Sequence, residues 1–361
     1  MAVARPHLWS ADTVISDAST PSPRRILVIT NPASGSYSPR LIEEIAEACA
    51  GDGREVTVHR TTAPGDATTA VRRAVRGPFT GPGAAGPPDL VLAVGGDGTA
   101  REAVQGLSAS GEGPVEPGAG STPLLVLPGG TGNSGYRMIW GDRPWRAALD
   151  AVLSPDGYAA PRRLDLALFE ETGRLVFLGA CTGVIAQALV TARTTPGQGR
   201  PRYARAFADT AAVFEPYPGR VTVDGRVVHE GPTVLANVGG GRYRGGQYLL
   251  LPYSEPDDGF LDVCAIGGDV APAEVPDLTL GSNRALDLPG CGYGRGRRIT
   301  LERTDGRPLV IEHDGEYQEY EASSATLSVL PGALTLWGPT ALARRRPGAA
   351  MASAAESSDA A

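Results

Sequence analysis

The chain has 361 residues, of which 42% are hydrophobic and 20% charged, and its formal net charge is −7. That length suggests two domains, each large enough to bury its own core. The acidic balance argues against nucleic acid as the main partner, and no apolar run reaches the roughly 18 residues of a transmembrane helix.

Residues 1–23 are rich in Ser, Thr, Pro and Ala and read as a disordered end. They carry no apolar stretch of a secretory signal, and a cytoplasmic location is expected. From residue 24 to about 158, short apolar runs alternate with segments of helical spacing. Ile26–Thr30 is a strand and Pro39–Ala50 a helix, with Leu41, Ile45, Ala48 and Cys49 on one face. Glu55–His59 and Asp66–Arg76 repeat the pattern. A Gly/Pro linker, 77–88, leads to the strand Leu90–Val94 and the helix Thr99–Leu107. A second flexible insertion, 108–122, precedes the strand Leu124–Leu127, and Arg143–Leu153 is helical again. Such alternation implies a parallel sheet with helices on its faces.

From 159 to 331 the pattern changes. Arg163–Phe169, Leu175–Ala180, Arg220–Val223, Val234–Val238, Leu261–Ile266, Ile299–Arg303, Leu309–Glu312 and Ala325–Val329 read as strands. Turns such as Asp224-Gly225, Asp258-Gly259, Asp305-Gly306 and Asp314-Gly315 separate them, and helices near 183–192 and 202–214 interrupt them. The fold class expected is therefore an α/β domain followed by a mainly-β, antiparallel domain. Residues 332–343 are candidates to complete the first domain, and 344–361 read as a disordered tail.

The strongest local feature is Gly95-Gly96-Asp97-Gly98-Thr99, where a buried strand ends in glycines and a helix begins at once. Ligands of open α/β sheets bind outside the carboxyl ends of strands, and glycines let backbone approach phosphate oxygens at a helix N-terminus. Asp97 would hold Mg²⁺ there and Thr99 would donate a hydroxyl. A helix cap is the simpler alternative, but it does not require three glycines. Pro128-Gly129-Gly130-Thr131-Gly132-Asn133 follows the next strand, and Asn31-Pro32-Ala33-Ser34-Gly35 follows the first. Together the three turns describe a phosphate cleft.

Several chemistries are excluded. The sequence has no lysine, so all 33 basic residues are arginine. That removes the P-loop, the protein-kinase lysine, Schiff bases and the SxxK hydrolases. Four scattered cysteines and four isolated histidines argue against structural zinc and a disulfide framework. Gly130–Gly135 formally matches GxGxxG with Asp150 about 20 residues on, but the dinucleotide fingerprint needs that acid at the end of a strand, and Asp150 falls on a helix.

In the second half, His313-Asp314-Gly315-Glu316 is by default a hairpin turn, although two carboxylates there also suit a base and its partner. Glu255–Phe260 clusters acids around a tight turn, either a solvated turn or a structural Mg²⁺ or Ca²⁺ site. Arg242, Arg244, Arg295, Arg297 and Arg298 form groups suited to anionic headgroups, or simply to solvent.

These residues, with Glu102, Leu164-Asp165, Asp257–Val263 and the ending Leu330-Pro331-Gly332-Ala333-Leu334, resemble the diacylglycerol kinase catalytic family in its bacterial soluble lipid-kinase branch. That branch is related to sphingosine and ceramide kinases and, more distantly, to NAD kinases. The resemblance covers about residues 24–340. It implies ATP and Mg²⁺ in an interdomain cleft and phosphoryl transfer, which asks mainly for positioning and charge neutralisation. By the same resemblance Asp97 organises Mg²⁺-ATP, while Asn31, Ser34, Gly35, Thr61, Thr62, Gly95, Gly96, Gly98, Thr99, Glu102, Gly130, Thr131 and Asn133 line the nucleotide side. Asp314 is the expected base with Glu316 in support, and Asp258, Glu255 and the Phe260 carbonyl fall where relatives carry a structural metal.

Three positions depart from the pattern: Ser134, where relatives usually carry aspartate, Ile185, where many place an aspartate at the second-domain site, and Arg101, where they often have asparagine. The expected activity is a lipid kinase acting on diacylglycerol or a sphingoid-like alcohol. The alternatives are a kinase for a small soluble acceptor and a non-catalytic nucleotide- or lipid-binding module. Expected partners are an amphipathic hydroxyl acceptor, a peripheral membrane contact at the inner face and a second copy of the chain.

Overall fold

The computed structural model describes residues 22–77, 86–108, 122–154 and 156–340. The two ends read as disordered and the two flexible insertions lie mostly outside those residues. Four apolar strands form the parallel sheet: β1 (Arg25–Thr30), β2 (Glu55–Arg60), β3 (Leu90–Gly95) and β4 (Leu124–Pro128), in the order β2-β1-β3-β4. β3 is buried at every position, as helices on both faces of a parallel sheet require. Helix α1 (Pro39–Ala50) begins where the Ser38 side chain accepts from the Leu41 amide and Pro39 fills the first turn, and it buries Ile42, Ile45 and Cys49. α2 (Asp66–Arg76) packs on α3 (Asp97–Leu107) at Gly106, where a Cβ would stand 2.7 Å from that of Val71. Adjacent parallel pairing sets the carboxyl ends of β1, β3 and β4 side by side, and all three glycine-bearing turns leave from that edge.

After α4 (Ser134–Trp140) and α5 (Trp145–Leu153) come the strands of the second domain: β5 (Ala159–Phe169), β6 (Arg174–Val176) and β7 (Ala180–Gly183). Two helices follow, α6 (Val184–Ala192) and α7 (Gly199–Ala211). β8 (Tyr217–Val223), β9 (Arg226–Gly239), β10 (Tyr243–Arg244), β11 (Tyr248–Leu249) and β12 (Leu261–Gly267) lead to the short α8 (Val275–Thr279). β13 (Gly292–Gly296), β14 (Arg298–Arg303), β15 (Ile311–His313), β16 (Glu316–Gln318) and β17 (Ser324–Pro339) complete the chain. This is an antiparallel β-sandwich whose interior holds Phe169, Val221, Val238, Val263, Ile299, Ile311 and Leu327. A second apolar layer, with Val184, Leu235, Ile266 and Val275, lies beneath the helices.

β17 joins the two halves. Leu327–Leu330 pairs with β5, the register breaks at Pro331–Ala333, and Leu334–Pro339 resumes on β5 while Leu336 pairs in parallel with Leu124 of β4. Gly332 supplies φ +60 at the break, and its amide donates to Asp165 Oδ1 at 2.8 Å.

The expected strand Leu175–Ala180 is two strands. β6 ends at Val176 and β7 starts at Ala180, because Phe177, Leu178 and Gly179 turn their amides toward a side chain instead of a neighbouring strand. The helix expected at 202–214 runs from Gly199 to Ala211, and α4 has no counterpart among the expected elements.

One buried acid makes the fold pH-sensitive. Asp262 of β12 is fully buried, and burial pushes its carboxyl up to about 6. The folded chain therefore holds this proton more tightly than the unfolded chain, whose aspartates ionise near 4. The stabilisation is present at low pH and is lost as pH rises through about 6. Asp262→Asn is expected to be more stable than wild type above pH 7 and to lose that advantage progressively as pH falls to about 4, with a span of about 2–3 kcal/mol in thermal melts.

Candidate active site

The two glycine loops meet backbone to backbone. Gly129 N donates to Gly95 O at 2.9 Å, and a Cβ on Gly130 would stand 2.2 Å from the Gly96 Cα. Likewise a Cβ on Gly35 would stand 2.4 Å from Thr131 Oγ1, so the first turn closes on the third. Thr99 is buried against Gly95. Asn133, at φ +54, locks its own loop by accepting from Gly130 N and donating to Gly130 O, both at 2.9 Å.

Asp97, the first residue of α3, has a half-buried carboxylate. Its oxygens accept from the amides of Ser134 at 3.1 Å and Gly135 at 2.9 Å. Burial pushes its pKa up, those amides oppose the push, and the charge of Asp314 adds to it.

Asp314 occupies a hairpin turn between β15 and β16, with φ +52 at Asp314 and +84 at Gly315, the mirror-image geometry of tight hairpins. In the comparable turn at Asp224-Gly225 the carboxylate is exposed and accepts from Arg297 N and Arg298 N. The Asp314 side chain is instead fully buried and accepts from the amides of Phe177 (3.0 Å), Leu178 (2.6 Å) and Gly179 (3.3 Å), the segment that interrupts β6 and β7. His313 Nδ1 lies 3.5 Å from Asp314 Oδ2. Burial works against this carboxylate, but His313 and the Phe177 and Leu178 amides outweigh it and hold its pKa below the usual value. Two neighbouring carboxylates are thus driven apart in pKa, a pattern typical of working sites.

The second domain closes on the glycine loops of the first through Glu316, Gly246 and Arg200. Arg101 Nη2 pairs with Glu316 Oε2 at 2.6 Å, and a Cβ on Gly98 would lie 3.6 Å from Glu316 Oε1. Gly246, in the turn between β10 and β11, donates its amide to Ser134 Oγ at 3.0 Å, and a Cβ there would stand 2.0 Å from Gly132 O. Arg200 Nε donates to Thr131 O at 3.0 Å. Gly246 and Arg200 carry no local sequence signal that links them to these loops, and nothing local links Arg101 to Glu316.

The sequence matches the diacylglycerol kinase catalytic domain over residues 25–157 and the YegS C-terminal NAD kinase beta sandwich-like domain over 179–338. A relative from Pseudomonas aeruginosa (strain UCBPP-PA14), named a probable lipid kinase YegS-like, is 31% identical over 312 residues, covering 82% of this chain and 90% of its own. The chain belongs to the diacylglycerol kinase catalytic family. A diacylglycerol kinase from Mycobacterium tuberculosis (strain CDC 1551 / Oshkosh) is 28% identical over 186 residues, covering 50% of this chain and 56% of its own. The crystal structure of a diacylglycerol kinase from Bacillus anthracis str. Sterne shares the fold with a TM-score of 0.61 at 20% identity, covering 88% of this chain and 97% of that one.

Against that family background, several expected nucleotide-side residues have internal duties. Glu102 accepts from Gly65 N (2.9 Å) and Ala67 N (3.1 Å) and so holds the β2–α2 turn. Thr62 donates through its amide and hydroxyl to Asp66, Thr61 N donates to Thr30 O, and Asn31 accepts from Ala33 N within its own turn, which the Ser34 amide closes on Asn31 O. These residues shape the loops. Glu316, an expected catalytic support, is an ion-pair partner of Arg101.

At the expected structural-metal site both carboxylates have arginine partners. Among the described residues, no group of three His, Cys, Asp or Glu side chains converges on a metal-sized centre. Glu255 is held by Arg242 at 2.6 Å, Asp258 by Arg295, and Asp257 by Arg162 at 3.0 Å in a fully buried pair. Guanidiniums from β5, β13 and the segment before β10 supply the positive charge that a cation would otherwise bring, and Phe260 stacks between Arg295 and Arg297. Chelation with EDTA is accordingly expected to leave the melting midpoint unchanged in a thermal-shift measurement; a midpoint that drops and is restored by Mg²⁺ or Ca²⁺ would contradict the substitution. The arginine groups considered for headgroups are also engaged: Arg242, Arg295 and Arg298 pair with carboxylates and Arg244 lies 3.7 Å from the buried Glu312.

Proposed function

We propose that this chain is an ATP-dependent lipid kinase that transfers the γ-phosphoryl group to a hydroxyl of diacylglycerol or a related amphipathic alcohol. The observation that carries the reading is the Asp314 carboxylate, buried in a hairpin turn, kept ionised by three amides and His313, and close enough to Asp97 to raise its pKa. The exposed turn aspartate Asp224 also accepts backbone amides, but it is neither buried nor paired with a histidine.

In this reading the glycine loops and the start of α3 receive the triphosphate through backbone amides. Asp314 accepts the proton of the acceptor hydroxyl as its oxygen bonds to the γ-phosphorus, and the bond from that phosphorus to the bridging oxygen of ADP breaks. Asp97 fits a Mg²⁺-nucleotide role, because its half-buried carboxylate, which feels the charge of Asp314, would be stabilised by a cation, and Mg²⁺ is commonly held by one or two carboxylates plus substrate phosphates. When bound, Mg²⁺ would neutralise phosphate charge there. The Arg101–Glu316 pair fixes the Asp314 hairpin over α3.

Ile185 favours a neutral acceptor. It packs, partly buried, against the apolar layer under α6 and offers an acceptor no charge with which to hold an ammonium. Among the described residues no helix is long and apolar enough to cross a membrane, so contact with a membrane-borne acceptor would be peripheral.

The test is transfer of label from γ-labelled ATP into diacylglycerol in mixed micelles, a sphingoid base and NAD, offered in parallel. Label in the diacylglycerol product is the expected result. Label in NAD alone would overturn the lipid reading, and label in the sphingoid base alone would overturn the neutral acceptor.

A further inference from the structure

A triphosphate is a polyanion, and a chain without lysine must meet it with amides, metal or arginine. Four guanidiniums stand on the segments around the glycine loops. Arg101 is held by Glu316 at 2.6 Å, Arg137 by Asp142 at 2.6 Å and by the Gly246 carbonyl, and Arg244 lies 3.7 Å from Glu312. The fourth, Arg200, has no carboxylate partner among the described residues. It is exposed at the start of α7, and its Nε hydrogen goes to the Thr131 carbonyl at 3.0 Å. Both terminal amino groups of its fork, the pair that grips phosphate bidentately, are without a partner among the described residues.

The place matters as much as the charge. Thr131 is where the loops converge: its hydroxyl abuts Gly35 of the first turn, and Ser36 Oγ donates to the neighbouring Gly130 carbonyl at 3.3 Å. A cation anchored there stands at the mouth of the loops whose amides would receive the phosphates. A carbonyl is a weak partner for a guanidinium, so little opposes its exchange for a phosphate oxygen.

We infer that Arg200 is a nucleotide-phosphate ligand contributed by the second domain to the loops of the first. The inference rests on the nucleotide reading given above. It makes Arg200 a determinant of affinity for ADP and ATP, with no part in holding the nucleoside.

Calorimetric titration of the full chain with ATP, ADP and adenosine tests it, using wild type, Arg200→Ala, Arg200→Lys and, as a control at another exposed position of the same helix, Arg205→Ala. Loss of one charge-assisted bidentate contact is expected to weaken ATP and ADP by about ten- to a hundredfold in Arg200→Ala, with adenosine unchanged. Arg200→Lys, which keeps the charge but not the fork, is expected to lie between, and Arg205→Ala to match wild type. ATP affinity that survives Arg200→Ala overturns the inference, as does an equal loss for adenosine, which would make Arg200 a tether for the Thr131 loop. Wild type that binds adenosine and ATP equally also overturns it. Failure of wild type to bind any nucleotide would sink the kinase reading itself, and this inference with it.

Discussion

Asp314→Asn is expected to lower kcat by about 10²–10⁴-fold, the range typical of removing a general base, with ATP binding nearly unchanged. Asparagine tolerates the positive φ that the turn requires, so the hairpin should persist. What changes is the chemistry. An amide has no proton-accepting carboxylate, and its NH₂ accepts nothing, so with Oδ1 still serving Leu178 and Gly179 the Phe177 amide loses its acceptor. A rate that falls together with the melting midpoint would point to a structural role. A rate that falls at constant midpoint and constant nucleotide affinity supports the base.

The pH profile separates the two aspartates. Asp314 is held below the usual carboxylate pKa and stays ionised through the neutral range, whereas burial and Asp314 push Asp97 upward. Both are needed as carboxylates, and the ionised fraction of each falls with pH. The acid limb of kcat/KM is therefore expected to follow Asp97, above the usual aspartate range, and to persist in the residual activity of Asp314→Asn.

Gly130→Ala is expected to abolish nucleotide binding. The added methyl would stand 2.2 Å from the Gly96 Cα and 2.8 Å from the Gly96 N, so two backbones rather than a mobile side chain would have to yield. Overpacking of this kind costs about 1–3 kcal/mol or more, and here the displacement falls on both loops at once. Gly240→Ala is the control, since nothing lies within 4 Å of its added carbon. Calorimetry should show ATP affinity lost in the first variant and retained in the second. Equal affinities would mean that the close approach of the two loops is not what shapes the site.

The first domain was legible because each of its functional turns is local. Strand, glycines and helix follow one another within a few residues at Gly95–Thr99 and Pro128–Asn133, and parallel pairing then brings those turns to one edge. The second domain was less so. Asp224-Gly225, Asp258-Gly259, Asp305-Gly306 and Asp314-Gly315 are the same turn signal in sequence. Only the break at Phe177–Gly179, which sends three amides to one carboxylate, distinguishes the last. The same break divides what reads as one strand, Leu175–Ala180. Arg101 reads as a departure from relatives, and its partner Glu316 is found only through the fold. Likewise the acids of Glu255–Phe260 are plain in the sequence, while the arginines that neutralise them come from β5, β13 and the approach to β10. Asn133 and Glu102 match the motif, but their hydrogen bonds show them shaping loops.

The central claim is that the glycine loops of the first domain and the Asp314 hairpin of the second form one site. Amide hydrogen exchange of the full chain, with and without Mg²⁺-ATP, tests it most directly. Slowed exchange is expected at 95–100 and 129–135 together with 177–179 and 314–316. Slowing confined to the first pair of segments, or located outside all four, would contradict it.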